Sequence, residues 1–153
     1  MRRLLRRLHG DERGAAYSVV ELAGVLALMI FPTVMALSQL PLWIDANSTA
    51  DLAAQEAARA VVIADTYPAG LAHGAAVAEQ LGANHGLSPD ELSVGFSLSG
   101  GGEGGGFARG STVTATVRVS VPGILVPGVG YVGGPFTVTR ASSERVDDYR
   151  SFP

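Results

Sequence analysis

Glu21 is the residue whose type and position most suggest a specific chemistry, because this carboxylate stands at the start of a long apolar segment. Residues 22–44, which follow directly, contain no charged side chain. A charged side chain costs about 2.5–3.5 kcal/mol at the centre of a membrane helix and less near the interface, so an intramembrane carboxylate usually serves a function. In a low dielectric a carboxylate is tolerated when it pairs with a cation. We interpret Glu21 as a pairing site, with a solvated position at headgroup depth as the alternative.

Other patterns in the sequence match cofactor or metal sites less well. Residues 128–133 have the spacing G-x-G-x-x-G, but a dinucleotide-binding fingerprint opens a helix, and here Pro135 and a strand-like run follow. His73 and His85 are far apart in the sequence, and no second cluster of metal ligands accompanies them. The chain has no cysteine, no G-x-S-x-G motif and only scattered acids. We therefore expect a protein that is not an enzyme and has no catalytic residue, cofactor or metal.

The apolar segment itself is the element that must position Glu21. At a rise of about 1.5 Å per residue, residues 22–44 would extend roughly 35 Å, enough to cross a hydrocarbon core of about 30 Å. Pro32 and Pro41 interrupt the run, which membrane helices tolerate, and Trp43 suits an interfacial position. The sequence predicts a transmembrane helix over residues 17–44, preceded by a basic cytoplasmic leader of residues 1–16.

The distribution of charge predicts the orientation of this helix. Residues 1–14 contain five arginines and two acids, whereas the rest of the chain is acidic and brings the net charge to −3. Positive residues are retained in the cytoplasm, so we read the arginines as orienting the helix rather than binding nucleic acid. We expect a single-pass protein of the cell membrane, with residues 45–153 forming an extracytoplasmic domain. A secretory signal peptide cut near residues 34–36 is the alternative.

The segment after the apolar run has helical patterns. Small and apolar residues share one helix face between positions 50 and 64, where they would pack on the domain's own sheet or on another subunit: Ala50, Ala53, Ala54, Ala57, Ala60 and Val61. Capping residues at 45–49 predict a break or a new helix start. We expect residues 67–70 to end this helix and residues 71–81 to form a short second helix closed by Gly82.

The remainder of the chain predicts a sheet. Residues 92–98 and 111–121 alternate apolar with small or polar side chains, and a third strand is predicted from about residue 135 to residue 146. A glycine-rich hairpin loop is expected to join the first two strands. Residues 122–134 are apolar but rich in Pro and Gly, and they could pack in the core, contact a partner or contact the membrane. Three antiparallel strands packed on the N-terminal helix make an α+β domain.

The sequence around Glu21 resembles a prepilin signal. Residues 13–22, RGAAYSVVEL, place small residues and a Val-Glu pair directly before the apolar helix. In prepilins a peptidase cuts on the cytoplasmic side after Gly or Ala, and Glu becomes the fifth mature residue. With its basic head, the alanine-rich stretch at 51–60 and the Val- and Thr-rich strands, the chain is similar to the TadE-like pilus-assembly proteins, which are pseudopilins of the tight-adherence system.

This resemblance implies a pilin-like fold and a non-catalytic role in assembling a type IV (tight-adherence) pilus or a related secretion filament that serves cell adhesion. Its partners would be other pilin or pseudopilin subunits, pilus-assembly membrane proteins, the prepilin peptidase and the lipid bilayer. In pilins the mature N-terminal amine of one subunit meets this glutamate of a neighbour. The resemblance therefore implies that Glu21 is a subunit contact.

Two positions are candidates for processing. A cut after Gly14 would make Glu21 the seventh mature residue, whereas a cut after Ala16 would make it the fifth and leave Tyr17 at the N-terminus. The chain also has Leu22 where the family often has an aromatic residue. Two further hypotheses stay open: a membrane-anchored extracytoplasmic binding module that never joins a filament, and a secreted protein released by signal peptidase.

Overall fold

A long apolar helix near the N-terminus leads into a small head with further helices and a three-stranded antiparallel sheet. The computed structural model describes residues 2–102, 106–126 and 129–149, and of residues 2–18 it describes the backbone alone. Helix and sheet segregate along the chain, with the helices first and the strands after them. The predicted α+β class is therefore confirmed.

Helix α1 spans Arg2–Ser38 and helix α2 spans Leu40–Ile63, with a short interruption at Gln39. Pro41 lies in the first turn of α2 and has no N–H, so it cannot continue the hydrogen-bond ladder of α1. The Gln39 N–H donates instead to the carbonyl three residues earlier, at 3.2 Å. The predicted break at residues 45–49 is wrong, because the proline places the interruption upstream and α2 runs through the capping residues.

In the described part of the chain, five strands follow the helices, and three of them form the main sheet. Its order is β1-β2-β5 with antiparallel pairing, so β2 lies in the middle. The inner face of β2 consists of valines and one alanine at alternate positions, all buried, while Thr and Ser occupy most of the opposite face. The predicted alternation is confirmed. The strands are β1 (Leu92–Ser99), β2 (Thr112–Val121), β3 (Ile124–Val126), β4 (Gly130–Val132) and β5 (Phe136–Arg145).

The alanine face of α2 forms the centre of the head. Every residue of the predicted stripe is buried, with exposure between 0 and 7%: Ala50, Ala53, Ala54, Ala57, Ala60 and Val61. The helix packs on β2 and β5 and on the helix that follows it. Because alanine side chains are short, the α2 backbone can lie close to both neighbours. The stripe is therefore covered by this chain and does not face another subunit.

Helix α3 spans Tyr67–Asn84 and is longer than predicted. Thr66 caps its N-terminus by accepting a hydrogen bond from the Ala69 N–H at 3.4 Å, and Pro68 lies in the first turn. Both are favourable at a helix start, because the first N–H groups have no partner within the helix. Residues 67–70 therefore begin a helix, and the prediction that they end one is wrong. Gly82, predicted to close the helix, lies inside it.

The turn before β1 is held by Ser88 and Glu91. The Glu91 carboxylate accepts hydrogen bonds from the Ser88 hydroxyl at 2.6 Å and from the Ser88 N–H at 2.8 Å. Because these bonds favour the ionised carboxylate, they hold the pKa of Glu91 below its usual value. The backbone carbonyl of Glu91 accepts from the Ser120 N–H at 2.7 Å, which ties this turn to the end of β2.

Residues 122–134 contain a second, smaller hairpin that the sequence did not predict. Strands β3 and β4 pair antiparallel, with Leu125 opposite Tyr131. Leu125, Tyr131 and Val132 are exposed, so packing in the core is wrong for these residues. Contact with a partner or with the membrane remains possible for this β3–β4 hairpin.

The head has two distinct ends. At the end where α2 follows α1, the ring of Trp43 meets Phe136 edge-on at 5.4 Å between centroids, and the β3–β4 hairpin contacts α1. At the other end, where α2 turns into α3, Tyr67 meets Phe107 of the glycine-rich loop at 5.4 Å. We call these the α1 end and the loop end of the head.

Close packing of α3 on α2 requires glycine at position 70. A Cβ at Gly70 would lie 2.7 Å from the Val61 carbonyl oxygen. Helix propensity favours alanine by about 1 kcal/mol, but overpacking against fixed backbone costs about 1–3 kcal/mol. We expect Gly70→Ala to lower the Tm of the full chain in detergent, measured by circular dichroism. Gly95→Ala is the control because a Cβ there meets nothing within 4 Å, and equal Tm values for both variants would contradict this packing.

Candidate contact site on helix α1

Glu21 lies on a helix surface that the described chain leaves uncovered. Among the described residues one segment, Val19–Ile63, is long and apolar enough to cross a membrane. A helix that is apolar on all sides is either buried in protein or embedded in a membrane. Apart from Met35, which is half-buried, its described large apolar side chains before the interruption are between 47 and 77% exposed: Val19, Val20, Leu22, Val25, Leu26, Leu28, Met29, Ile30, Phe31, Val34 and Leu37.

No basic group of the head lies near Glu21 along the helix. About 27 Å separate Glu21 from Gln39 at a rise of about 1.5 Å per residue. The first arginine after Glu21 is Arg59, which lies in α2. Arg13 lies about 12 Å before Glu21 along the same axis. A cation that pairs with Glu21 must therefore come from the N-terminal segment, a lipid headgroup or another chain.

The predicted processing residues Gly14, Ala16 and Tyr17 belong to the helical backbone of α1, and their side chains lie outside the described part of the chain. The helix continues through both proposed cut positions. At 3.6 residues per turn, residues four apart differ by about 40° around the helix axis, whereas residues six apart differ by about 120°. The backbone nitrogen of residue 17 therefore shares a face with Glu21, and that of residue 15 does not.

The histidines considered as metal ligands lie in different surroundings. His85 Nδ1 is 3.5 Å from a carboxylate oxygen of Asp45, which connects the end of α3 with α2. His73 lies on α3 in a shallow groove beside Glu56. Across residues 2–102, 106–126 and 129–149, no group of three or more His, Asp or Glu lies together as a metal site. The glycine pattern near residue 130 leads into β5 and not into a helix.

Comparison of the chain with protein-family models, with curated proteins and with solved structures gives no match.

The sequence analysis missed a groove at the α1 end of the head. An open apolar groove of about 560 Å³ lies beside Trp43 and Phe136. These two residues are far apart in the chain, so no local pattern connects them. The available signal was the absence of charge between Arg118 and Arg140, which is unusual for a surface hairpin.

Single cysteines can test whether α1 crosses the membrane, because the chain has no cysteine of its own. We expect Leu28→Cys, on the bare part of α1, to resist a membrane-impermeant maleimide, since lipid would surround it. Ser97→Cys, on the exposed face of β1, should react when the reagent is added to intact spheroplasts, and mass spectrometry would measure both labels. Reaction of Leu28→Cys before detergent is added would contradict the span, and reaction of Ser97→Cys only after lysis would reverse the orientation.

Proposed function

We propose that this protein is a TadE-like pseudopilin, a single-pass protein of the cell membrane that takes part in assembling a tight-adherence type IV pilus or a related secretion filament. The observation that carries the proposal is Glu21, a carboxylate on an otherwise apolar helix surface with no cation of its own head within reach. The protein acts by associating with other subunits and catalyses no reaction. Its α+β head lies outside the cytoplasm and is pilin-like.

Glu21 provides the specific part of this association. A carboxylate in hydrocarbon is costly unless a cation compensates it, and removing one partner of such a buried pair costs several kcal/mol. The amine released by the prepilin peptidase on a neighbouring subunit is a cation of suitable depth. Pairing therefore favours insertion beside a processed subunit over insertion beside any other apolar helix.

The two candidate cuts give different subunit offsets. When parallel helices pair an amine at residue 17 with Glu21 of a neighbour, the two chains are displaced by four residues, or about 6 Å. A cut after Gly14 places the amine at residue 15 and increases the displacement to about 9 Å. The position of the cut therefore sets the axial step between neighbouring subunits.

The bare surface of α1 provides the non-specific part of the association. Before assembly lipid tails can cover its apolar side chains, and in a filament neighbouring helices can cover them instead. Lipid tails are as apolar as these side chains, so this exchange supplies little net driving force. The charge pair at Glu21 then decides which helices associate.

The mature N-terminus distinguishes the proposal from its two alternatives. We expect mass spectrometry of membrane-extracted protein to find a chain that begins at Ala15 or Tyr17, since a prepilin peptidase removes the basic leader. An intact chain beginning at Met1, in cells with an active peptidase, would favour a membrane-anchored binding module. A chain beginning near Leu37 would indicate a secreted protein cut by signal peptidase.

Substitution of Glu21 tests its role in association. Glu21→Ala makes the helix more apolar, so membrane insertion should persist. Crosslinking to other pilin-type subunits should fall strongly, because the neighbour's amine would be left without a counter-charge, at a cost of about 3–5 kcal/mol. Glu21→Gln should give an intermediate yield, since it keeps a hydrogen-bond acceptor without the charge.

Gly24→Ala is the matched control for these variants. It lies on the same bare helix, a Cβ there meets nothing within 4 Å, and it changes no charge. All yields are normalised to the amount of each variant in the membrane. If Glu21→Ala crosslinks as well as Gly24→Ala, Glu21 is a solvated residue at headgroup depth and the proposed pairing is wrong.

A further inference from the structure

The α1 end of the head presents an apolar surface that is unusual for a domain in water. On the β3–β4 hairpin Leu125, Tyr131 and Val132 are 43, 62 and 49% exposed. No charged residue occurs from residue 119 to residue 139. Contiguous apolar surface of this kind marks a binding site for protein or membrane.

The apolar groove continues this surface toward α2. Leu40, Trp43 and Ile44 line it from the helix, and Val121, Phe136 and Val138 line it from the sheet. Phe136 is 46% exposed although it packs against Trp43. The hairpin adjoins the groove along the chain, because β3 follows Val121 by three residues and β4 comes shortly before Phe136. We treat the groove and the hairpin together as the apolar face.

The length of the membrane span places this face at the bilayer surface. A hydrocarbon core of about 30 Å takes about 20 helical residues. Counted from residue 17, where the predicted transmembrane helix begins, that span ends near residue 37, and counted from Glu21 it ends near residue 41. Both ends lie within about two residues of the interruption at Gln39 and near Trp43. Strand β3 contacts α1 itself, so the hairpin cannot stand far above the level at which the helix leaves the lipid.

We propose that the β3–β4 hairpin and the adjoining groove are seated in the outer interfacial layer of the same bilayer that α1 crosses. The occupant of the apolar face is lipid, namely glycerol groups and the first methylenes of the acyl chains. The inference rests on the membrane span within the proposed function, but it does not depend on pilus assembly. It means that the head is held against the membrane by two contacts instead of swinging from one helix.

Backbone chemistry fixes the depth of this contact. A two-stranded hairpin leaves N–H and C=O groups on its outer edges, and such groups are not tolerated in the hydrocarbon core. The interface still offers water and ester oxygens to them. Pro122 and Pro135, which flank the hairpin, have no N–H and lower the number of donors that need a partner. Tyr131 and Trp43 are the aromatic types that favour this layer.

Lipid is favoured over a second copy of the chain as the occupant. In the proposed span the helix already holds the apolar face beside the bilayer. The effective concentration of lipid at this face is therefore high, and contact with lipid needs no encounter between two proteins. The face also lacks charges that would select one protein partner over another. A second copy would have to displace these lipids before it could bind.

Single tryptophans in the full chain can test this contact. The chain has one tryptophan, so Trp43→Phe gives a silent background for Tyr131→Trp, Leu28→Trp and Ser97→Trp. Each variant is reconstituted in phosphatidylcholine vesicles whose acyl chains carry bromine near the glycerol or near the chain end. Bromine quenches only those indoles that lie at the depth of the brominated carbon.

We expect the Tyr131→Trp indole to lose most of its emission with bromine near the glycerol and little with bromine near the chain end. The Leu28→Trp indole should be quenched by the deep label, and the Ser97→Trp indole, near the loop end, by neither. Lowering the protein-to-lipid ratio should leave these losses of indole emission unchanged. Circular dichroism confirms that each variant is folded.

Each other outcome has a distinct meaning. An unquenched Leu28→Trp indole would reject the membrane span and with it the proposed function. A quenched Leu28→Trp indole with a Tyr131→Trp indole open to iodide would overturn the hairpin contact alone. A Tyr131→Trp emission that shifts to the blue only at high protein-to-lipid ratio would identify a second copy as the occupant and equally overturn the lipid contact.

Discussion

The packing of the α2 alanine face on the valines of β2 is the contact on which the rest of the structure depends. Fully buried alanines such as Ala53 and Ala57 let the helix backbone lie close to the sheet, and the inward valines of β2 are equally buried. A single residue, Gln39, separates this helix from α1. The core of the head is therefore built on the extension of the apolar helix, and the two parts cannot be positioned independently.

The interruption at Gln39 is a local irregularity between α1 and α2. Pro41 prevents a continuous hydrogen-bond ladder, so α1 and α2 meet at a tightened turn. In the proposed membrane span, this turn lies near the level at which the helix leaves the hydrocarbon. It separates the apolar surface of α1 from the alanine face of α2, so neither surface contains the interruption.

The two ends of the apolar helix each leave groups uncovered by the described part of the chain. Near the start of α1, Glu21 has no cation of its own head within reach. At the other end, exposed side chains such as Tyr131 and Phe136 have no covering among the described residues. In the proposed function, a membrane that holds neighbouring subunits would cover both.

The sequence alone determined the elements that depend on local periodicity. Three features follow from the spacing of residues that are close together in the sequence: the apolar run after Glu21, the alanine face of α2 and the alternation in β2. Each appears in the structure as predicted. The ends of the helices were harder to predict from the sequence, because capping side chains and prolines can favour different boundaries. Pro41 outweighed the polar residues at 45–49, and Pro68 after Thr66 started a helix where a stop was predicted.

Only the tertiary structure decided which surfaces are covered. The same short alanines could have packed on a neighbour or on their own sheet, and the fold of β2 and β5 against α2 settled that question. Residues 122–134 are apolar enough for a core, yet they pair with each other as β3 and β4 and stay exposed. Trp43 and Phe136 meet because antiparallel pairing of β5 with β2 returns the chain to the start of α2. Periodicity fixes which face of an element is apolar, but only the packing of all elements fixes what that face contacts.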